Sequence, residues 1–418
     1  MKKFVIVSYV LSQILLLDYY VISPSIRLTA VPVIILAVLV VASGRLRHWA
    51  GDGKKLLLML LVGLLYLIFT SSINFFRGSD LLTVFATFVL SGSMMIAVLC
   101  VRTDSDAKIV ISCVLWCFII STFFAALQAI NIPIRLSSLA PSFAFIGSDN
   151  PERVVSTITN RSTGATADTI RFAMHAMTFL SFIFWALRFR FSRKLFLLFT
   201  IGIVAMIMSQ TRAAIGGWVI SAVFVGLLFN TSSVGRIKFL ASISITVAFL
   251  SGLLILVFPD VAPYLSGGIE GGHLFRFYAN WYTSLGVLEM SPLFGLSAQE
   301  QWDAFFRYGD VYYTPYYLDS ESPTHHNQIA YVFRYYGMAG LLIFVWLLFL
   351  IFSLILSCRS IYIRNVILTI FLSELIYSLA HNNKLLGSPL FWIMLSLVLV
   401  SRDHGKRLDD AVFRGKLI

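Results

Sequence analysis

Residues 337–356 read GMAGLLIFVWLLFLIFSLIL, an uncharged run of 20 positions. A helix needs about 20 mostly apolar residues to cross the hydrocarbon core of a bilayer. In water such a run would have to be covered on all sides by other protein. The rest of the chain excludes that solution. Of its 418 residues, 58% are hydrophobic and only 12% charged, and the mean hydropathy is +0.86. A soluble domain carries about 25% charged residues. Lipid is therefore the solvent this composition requires.

Working outward from 337–356, the same criterion gives spans at 4–23, 28–43, 56–74, 81–101, 109–130, 171–187, 195–209, 213–230, 239–258, 365–381 and 388–401. The expected fold class is an all-α polytopic membrane protein of about 12 transmembrane helices. The stretches 195–209 and 213–230 are separated only by Gln210, Thr211 and Arg212, so they form either a tight hairpin or one broken helix. The start, MKKFVIVSYVLSQILLLDYY, has the charge and apolar run of a signal peptide but no clean small-residue cleavage site, and reads as a retained first span.

Short cytoplasmic loops of membrane proteins are enriched in Lys and Arg. With the N-terminus inside, the inner segments hold Lys2 and Lys3; Arg45, Arg47, Lys54 and Lys55; Arg102 and Lys108; Arg188, Arg190, Arg193 and Lys194; Arg236 and Lys238; Arg359 and Arg364; and Arg402, Lys406, Arg407, Arg414 and Lys416. That is 21 of the 32 basic residues, and every inner loop is short and basic; the other 11, Arg77 and Arg334 among them, fall on the outer side. Inverting the topology violates the rule at nearly every loop. The net charge of +12 is thus an orientation signal, with no nucleic-acid footprint left over. Both termini are expected in the cytoplasm.

The resulting domain map has nine spans in 1–258, including a polar outer loop at about 131–170; a large outer loop at 259–336; three spans in 337–401; and a cytoplasmic tail at 402–418. Long loops without structure are uncommon unless functional. The amphipathic segment IAYVFRYY (329–336) suggests a short helix at the membrane surface closing the large loop. No internal repeat or low-complexity tract is visible. Cys100, Cys113 and Cys117 lie in apolar runs and Cys358 beside one, with no zinc-ligand spacing.

Several residues carry both a structural and a chemical reading. Arg212, in MSQTRAA at the outer end of a span, is either an interfacial anchor or an arginine that grips an anion. Arg276 precedes Trp281, Leu285 and Leu288 in an apolar pattern that predicts an amphipathic helix ending near Pro292. It would sit in the first or second turn, solvated, carboxylate-paired or anion-binding. His326, in SPTHHNQIAYVFRYYGMAG, is a loop histidine or a proton acceptor beside a span, with His325 as its competitor. Gly337 and Gly340 would let another helix approach closely. Asp18 and Glu374 fall inside spans, where carboxylates are functional candidates by default. No paired-carboxylate motif, phosphate-cradling glycine loop or His/Cys metal spacing is present.

These elements together resemble a known family. His326-Asn327-x9-Gly337-x2-Gly340 resembles the H[NSQ]-x9-G-x2-[GTY] signature of the O-antigen ligase and Wzy polymerase superfamily. Gln210-Thr211-Arg212-Ala213 is similar to the arginine motif of O-antigen ligases. Arg276-x4-Trp281, running on to Ser291-Pro292-Leu293-Phe294-Gly295, is similar to their arginine, aromatic and SPLFG loop element. Arg161-Ser162-Thr163-Gly164 resembles the R-x-[TS]-G element that precedes their sixth span. The four occur in the family's order, and the resemblance covers about residues 55–400.

What the resemblance implies is a GT-C-like, metal-independent glycosyltransferase of the bacterial inner membrane with a periplasmic active site and no cofactor. The donor would be an undecaprenyl-diphosphate-linked glycan, and the acceptor a second glycan or lipid A–core. Arg212, Arg276 and Arg161 would bind the diphosphate and stabilise its leaving charge. His326 would act as base on the acceptor hydroxyl, with Asn327, His325, Gly337 and Gly340 in support. A chain-length regulator is a further expected partner. Between family members, the polymerase that joins lipid-linked repeat units is preferred over the ligase. A transporter or flippase is the reading from another class, but it has little use for a 259–336 loop, and no repeat of the transporter kind is seen.

Overall fold

The computed structural model describes residues 2–15, 30–43, 54–77, 91–130, 164–165, 169–209, 211–229, 272–308, 327–380 and 388–413, with residues 89 and 132. About 89% of this is helix, and no strand occurs among the described residues. The helices are α1 (Lys2–Leu15), α2 (Ala30–Ala42), α3 (Lys54–Phe76), α4 (Asp104–Ala129), α5 (Thr169–Phe189), α6 (Arg193–Met208), α7 (Arg212–Phe229), α8 (Gly272–Met290), α9 (Ala298–Tyr308), α10 (Gln328–Leu356), α11 (Ile361–Ala380) and α12 (Pro389–Phe413). Five described helices are long and apolar enough to cross a membrane: Lys54–Phe76, Asp104–Ala129, Arg171–Phe189, Gln328–Leu356 and Ile361–Leu379. Others, such as Pro32–Ala42, Ala213–Leu228 and Leu390–Ser401, are apolar but shorter. These helices mark a membrane-embedded all-α protein. The expected span 239–258 and Asp18 lie outside the described residues, as does nearly all of the loop 131–170.

The helices sort into an inner and an outer set. The inner set centres on α5, α11 and the first half of α12, where Phe172, Phe179, Trp185, Ile367, Trp392 and Leu397 are buried. Several buried hydroxyl and indole side chains there close bonds within or between helices, as an apolar surround favours. Ser181 donates to Met177 O at 2.8 Å and Ser373 to Thr369 O at 2.6 Å. Trp185 Nε1 donates to Thr369 at 2.8 Å, joining α5 to α11. The outer set exposes apolar stripes. On α10 these are Leu342, Val345, Trp346 and Phe349, and on α3 Leu57, Leu61, Leu64, Leu65 and Ile68. Their spacing of three to four residues puts each set on one face, the face lipid would cover.

Local chemistry sets the ends. Thr103 caps α4 by accepting from Asp106 N at 3.1 Å, while the Asp106 carboxylate accepts from Thr103 N at 3.1 Å. This reciprocal box satisfies donors that a helix start leaves open. Within the expected tail, residues 402–413 continue α12 to Phe413. The reason lies at Asp409, which accepts from Ser360 Oγ at 2.6 Å and from the amides of Ile361 and Tyr362 at 3.1 Å. A carboxylate at the start of α11 meets its open amides and the positive end of its dipole, so the extension is held by a charge partner.

α6 and α7 are two helices, separated by residues 209–211. They do not pack as a hairpin: α6 lies chiefly on α5, and α7 chiefly on α11.

Candidate functional site

The described part of the segment 259–336 that precedes the break in α10 is a helical unit with its own small core. α8 and α9 pack together where Gly286 faces Ala304. Val287, Leu296 and Ala304 are buried there with Phe333 of α10 against them. α8 ends at Met290 as the sequence pattern requires, and Arg276 lies in its second turn.

Between α8 and α9 the motif Ser291–Gly295 forms a turn, closed by Gly295 N donating to Ser291 O at 2.9 Å. This turn docks against a break in α10. Gly337 has φ 60° and ψ −161°, a conformation that only glycine adopts readily. The segment 329–336 is helical as expected, but it is the first leg of α10, running into the span across this break.

The break has a definite hydrogen-bonding consequence. A regular helix would bond Met338 N to Arg334 O and Ala339 N to Tyr335 O. At the break these four backbone groups need other partners. Met338 N donates to Pro292 O at 2.8 Å, and Ala339 N to Leu293 O at 3.2 Å. Arg334 O accepts from Leu296 N at 2.6 Å. Tyr335 O accepts from Arg77 Nη1. The turn thus supplies two of the four replacements, Leu296 just after it a third and Arg77 the last.

Arg77 follows α3 directly. Besides Tyr335 O, it donates to Leu296 O at 2.9 Å through Nη1 and to Phe294 O at 2.8 Å through Nη2. One guanidinium therefore joins α3, the turn and α10. Burial lowers its pKa and nearby Glu300 works against that shift; an arginine remains charged under either influence. Behind the turn, fully buried Arg334 donates from Nη1 to Thr283 of α8 at 2.8 Å. Aromatic rings surround the joint, with Tyr66 and Phe69 of α3 against Tyr336 and Phe294 respectively.

Of the two motif glycines, Gly337 differs from expectation and Gly340 faces a neighbouring helix as expected. A Cβ on Gly337 would meet the backbone of Leu293 and Phe294, so the close approach is that of a turn, not of a helix. A Cβ on Gly340 would meet Tyr336 of its own helix and Phe69 of α3. Gly295, at φ 73°, has no room for a Cβ against Arg334 O and the following peptide.

Asn327 caps α10, its side chain accepting from Ile329 N and Ala330 N at 3.0 Å each. Arg212 is the first residue of α7. His325, His326 and Arg161 lie outside the described residues, but Gly164, three positions after Arg161, is described. It is held at φ 63° by a two-way bond to Gln128 at the end of α4: Gln128 Nε2 donates to Gly164 O at 2.8 Å, and Gly164 N donates to Gln128 Oε1 at 3.1 Å. Ala165 N donates to Ser121 at 3.0 Å. Glu374 is buried, and its Oε2 has no hydrogen-bond partner among the described residues.

Two predictions arise here. Gln128→Ala removes both bonds to Gly164 and is expected to cost about 1–3 kcal/mol, read as a lower melting temperature in detergent. Arg77→Met leaves three carbonyls without their charged donor and is expected to cost about 2–4 kcal/mol. Arg77→Lys should recover only part of this, since an ammonium lacks the planar fork that spans several acceptors. Full stability in Arg77→Met would show that water replaces the guanidinium without loss.

Among known proteins, no family model matches the chain, and no curated protein matches it significantly.

Proposed function

We propose that this chain is an inner-membrane glycosyltransferase that polymerises lipid-linked repeat units of an O-antigen or exopolysaccharide. In this reading about 12 helices span the membrane in a GT-C-like arrangement, with both termini in the cytoplasm and the 259–336 loop in the periplasm. One observation carries the reading. The Ser291–Gly295 turn, the Gly337 break and Arg77 form a single joint between α8, which bears Arg276, and α10, which follows His326. Two motifs that are separate in sequence are thereby parts of one unit. A mobile loop could not hold an anion-binding arginine and a base in a fixed relation, and transfer chemistry depends on such positioning.

The chemistry follows from the donor. Breaking the bond between an anomeric carbon and undecaprenyl diphosphate leaves charge on the diphosphate. Arg212, Arg276 and Arg161 would carry that charge, Arg276 from the second turn of α8 and Arg212 from the start of α7. His326 would take the proton of the attacking hydroxyl. A single displacement inverts the anomeric centre. The rigid attachment of Gly164 to α4 suits a site in which Arg161 is held near the others.

The deciding assay uses purified protein with a lipid-linked repeat unit as both donor and acceptor. Elongation without an energy source supports the polymerase. Transfer only onto lipid A–core assigns the ligase instead, and vectorial movement without a new glycosidic bond assigns a transporter. The same assay tests the role of the arginines as charge carriers: EDTA is expected to leave the rate unchanged. A strong loss that magnesium restores would overturn the metal-free mechanism.

A further inference from the structure

The Ser291–Gly295 turn combines two properties that a water-exposed loop has no reason to combine. Its apolar side chains point outward, with Leu293 57% and Phe294 53% exposed. The carbonyls of Ser291, Pro292, Leu293 and Phe294, and that of Leu296 just after the turn, are nevertheless met from within the protein. Ser291 O takes Gly295 N, Pro292 O takes Met338 N and Leu293 O takes Ala339 N. Phe294 O takes Arg77, and Leu296 O takes both Arg77 and Gln301 Nε2, the last at 3.2 Å. Water would satisfy an exposed turn at no structural cost. In hydrocarbon an unmet carbonyl costs several kcal/mol, and irregular backbone persists there only when protein groups satisfy it.

The turn's position agrees. The Phe294 ring lies 6.3 Å from that of Phe69. Phe69 precedes the end of α3 by seven residues, about 10 Å along the helix axis. The turn therefore reaches from the end of α3, where Arg77 binds its Phe294 carbonyl, back along the apolar length of that helix, where its Phe294 ring meets Phe69. On its other side it meets Met338 and Ala339, at the start of the uncharged part of α10. Exposed Ile68 and Leu65 of α3 and exposed Met338 and Leu342 of α10 continue the apolar surface of Leu293 and Phe294 without a charged residue between them along either helix.

We infer that the Ser291–Gly295 turn is a re-entrant element, immersed in the leaflet on the side of the large loop, with Leu293 and Phe294 packed against phospholipid acyl chains. This rests on the membrane embedding of α3 and α10 and not on the transferase reading. If that reading also holds, the turn keeps α8 at the bilayer surface, where the phosphates of a lipid-linked donor lie.

The test is photocrosslinking in native membranes. A diazirine-bearing phenylalanine is introduced singly at positions 293, 294, 342 and 299, and adducts are identified by intact mass. Position 342 reports the lipid-facing stripe of α10, and position 299 the exposed polar side of α9. Phospholipid adducts at 293 and 294, as at 342, with water adducts at 299, are the expected result. Water adducts at both 293 and 294 would overturn the inference, as would adducts to a protein partner or a second copy. Adducts to a polyprenyl lipid alone would also overturn it, by assigning the surface to a donor tail. Two adjacent positions keep the test decisive if one substitution impairs folding.

Discussion

Gly337→Ala is expected to prevent the loop from docking and to leave little folded protein. Two effects act on the same atom. The backbone at φ 60° and ψ −161° is open essentially to glycine alone, and forcing another residue into it costs about 1–3 kcal/mol. The new Cβ would also meet the carbonyl of Leu293 and lie 2.6 Å from Phe294 N. Those are backbone atoms already fixed by Ala339 and Arg77. No rotamer change relieves the overlap, so the turn must leave, and the groups at the break lose their partners. The sum is about 4 kcal/mol or more, comparable with the whole stability of a marginal protein. Gly340→Ala offers a graded comparison at ordinary φ: its Cβ would meet the Cβ of Tyr336, which the backbone holds in place, for an overpacking cost of about 1–3 kcal/mol without the added strain of the Gly337 conformation. Gly216→Ala, with nothing near its Cβ, should be neutral or slightly stabilising. Melting temperatures and recovery of monodisperse protein in one detergent would rank the three. A Gly337→Ala protein as stable as Gly216→Ala would mean that the break in α10 does not exist.

The contrast between Gly337 and Arg77 shows what a sequence of this kind discloses. Spans are legible because lipid imposes a length and an absence of charge, and α3, α4, α5, α10 and α11 fall where those two conditions point. Gly337 was legible as a special position. Its actual neighbour was not, because an approaching backbone leaves no side-chain pattern. Arg77 counted only as one outer-loop charge, for the same reason. Its acceptors are the carbonyls of Phe294, Leu296 and Tyr335, which any residue types would provide. Gln128 and Asp409 escaped likewise, since they too bind backbone. Arg334, also read as an outer-loop charge, is buried on Thr283. A usable signal did exist. A glycine that breaks an apolar helix leaves backbone groups needing partners, and the first charged residue after a neighbouring span is a candidate to supply one.

His326→Ala is expected to separate chemistry from fold. Loss of a general base lowers a rate by about 10²–10⁴-fold, and that is the expected loss of repeat-unit elongation. The start of α10, however, is set by Asn327, whose own side chain accepts from Ile329 N and Ala330 N. Removing the neighbouring imidazole leaves that cap intact, so the melting temperature should not move. Asn327→Ala should do the reverse in kind, lowering stability by about 1 kcal/mol through loss of the cap, with a smaller effect on rate. Initial rates and melting curves on the same preparations distinguish these outcomes. His325→Ala completes the set: normal elongation there, with loss at His326, assigns the base to His326, and the opposite pattern moves the role one residue back. If both variants elongate at the normal rate, neither histidine takes the acceptor proton. The joint between α8 and α10 would then be a structural device in a protein whose catalytic base lies elsewhere.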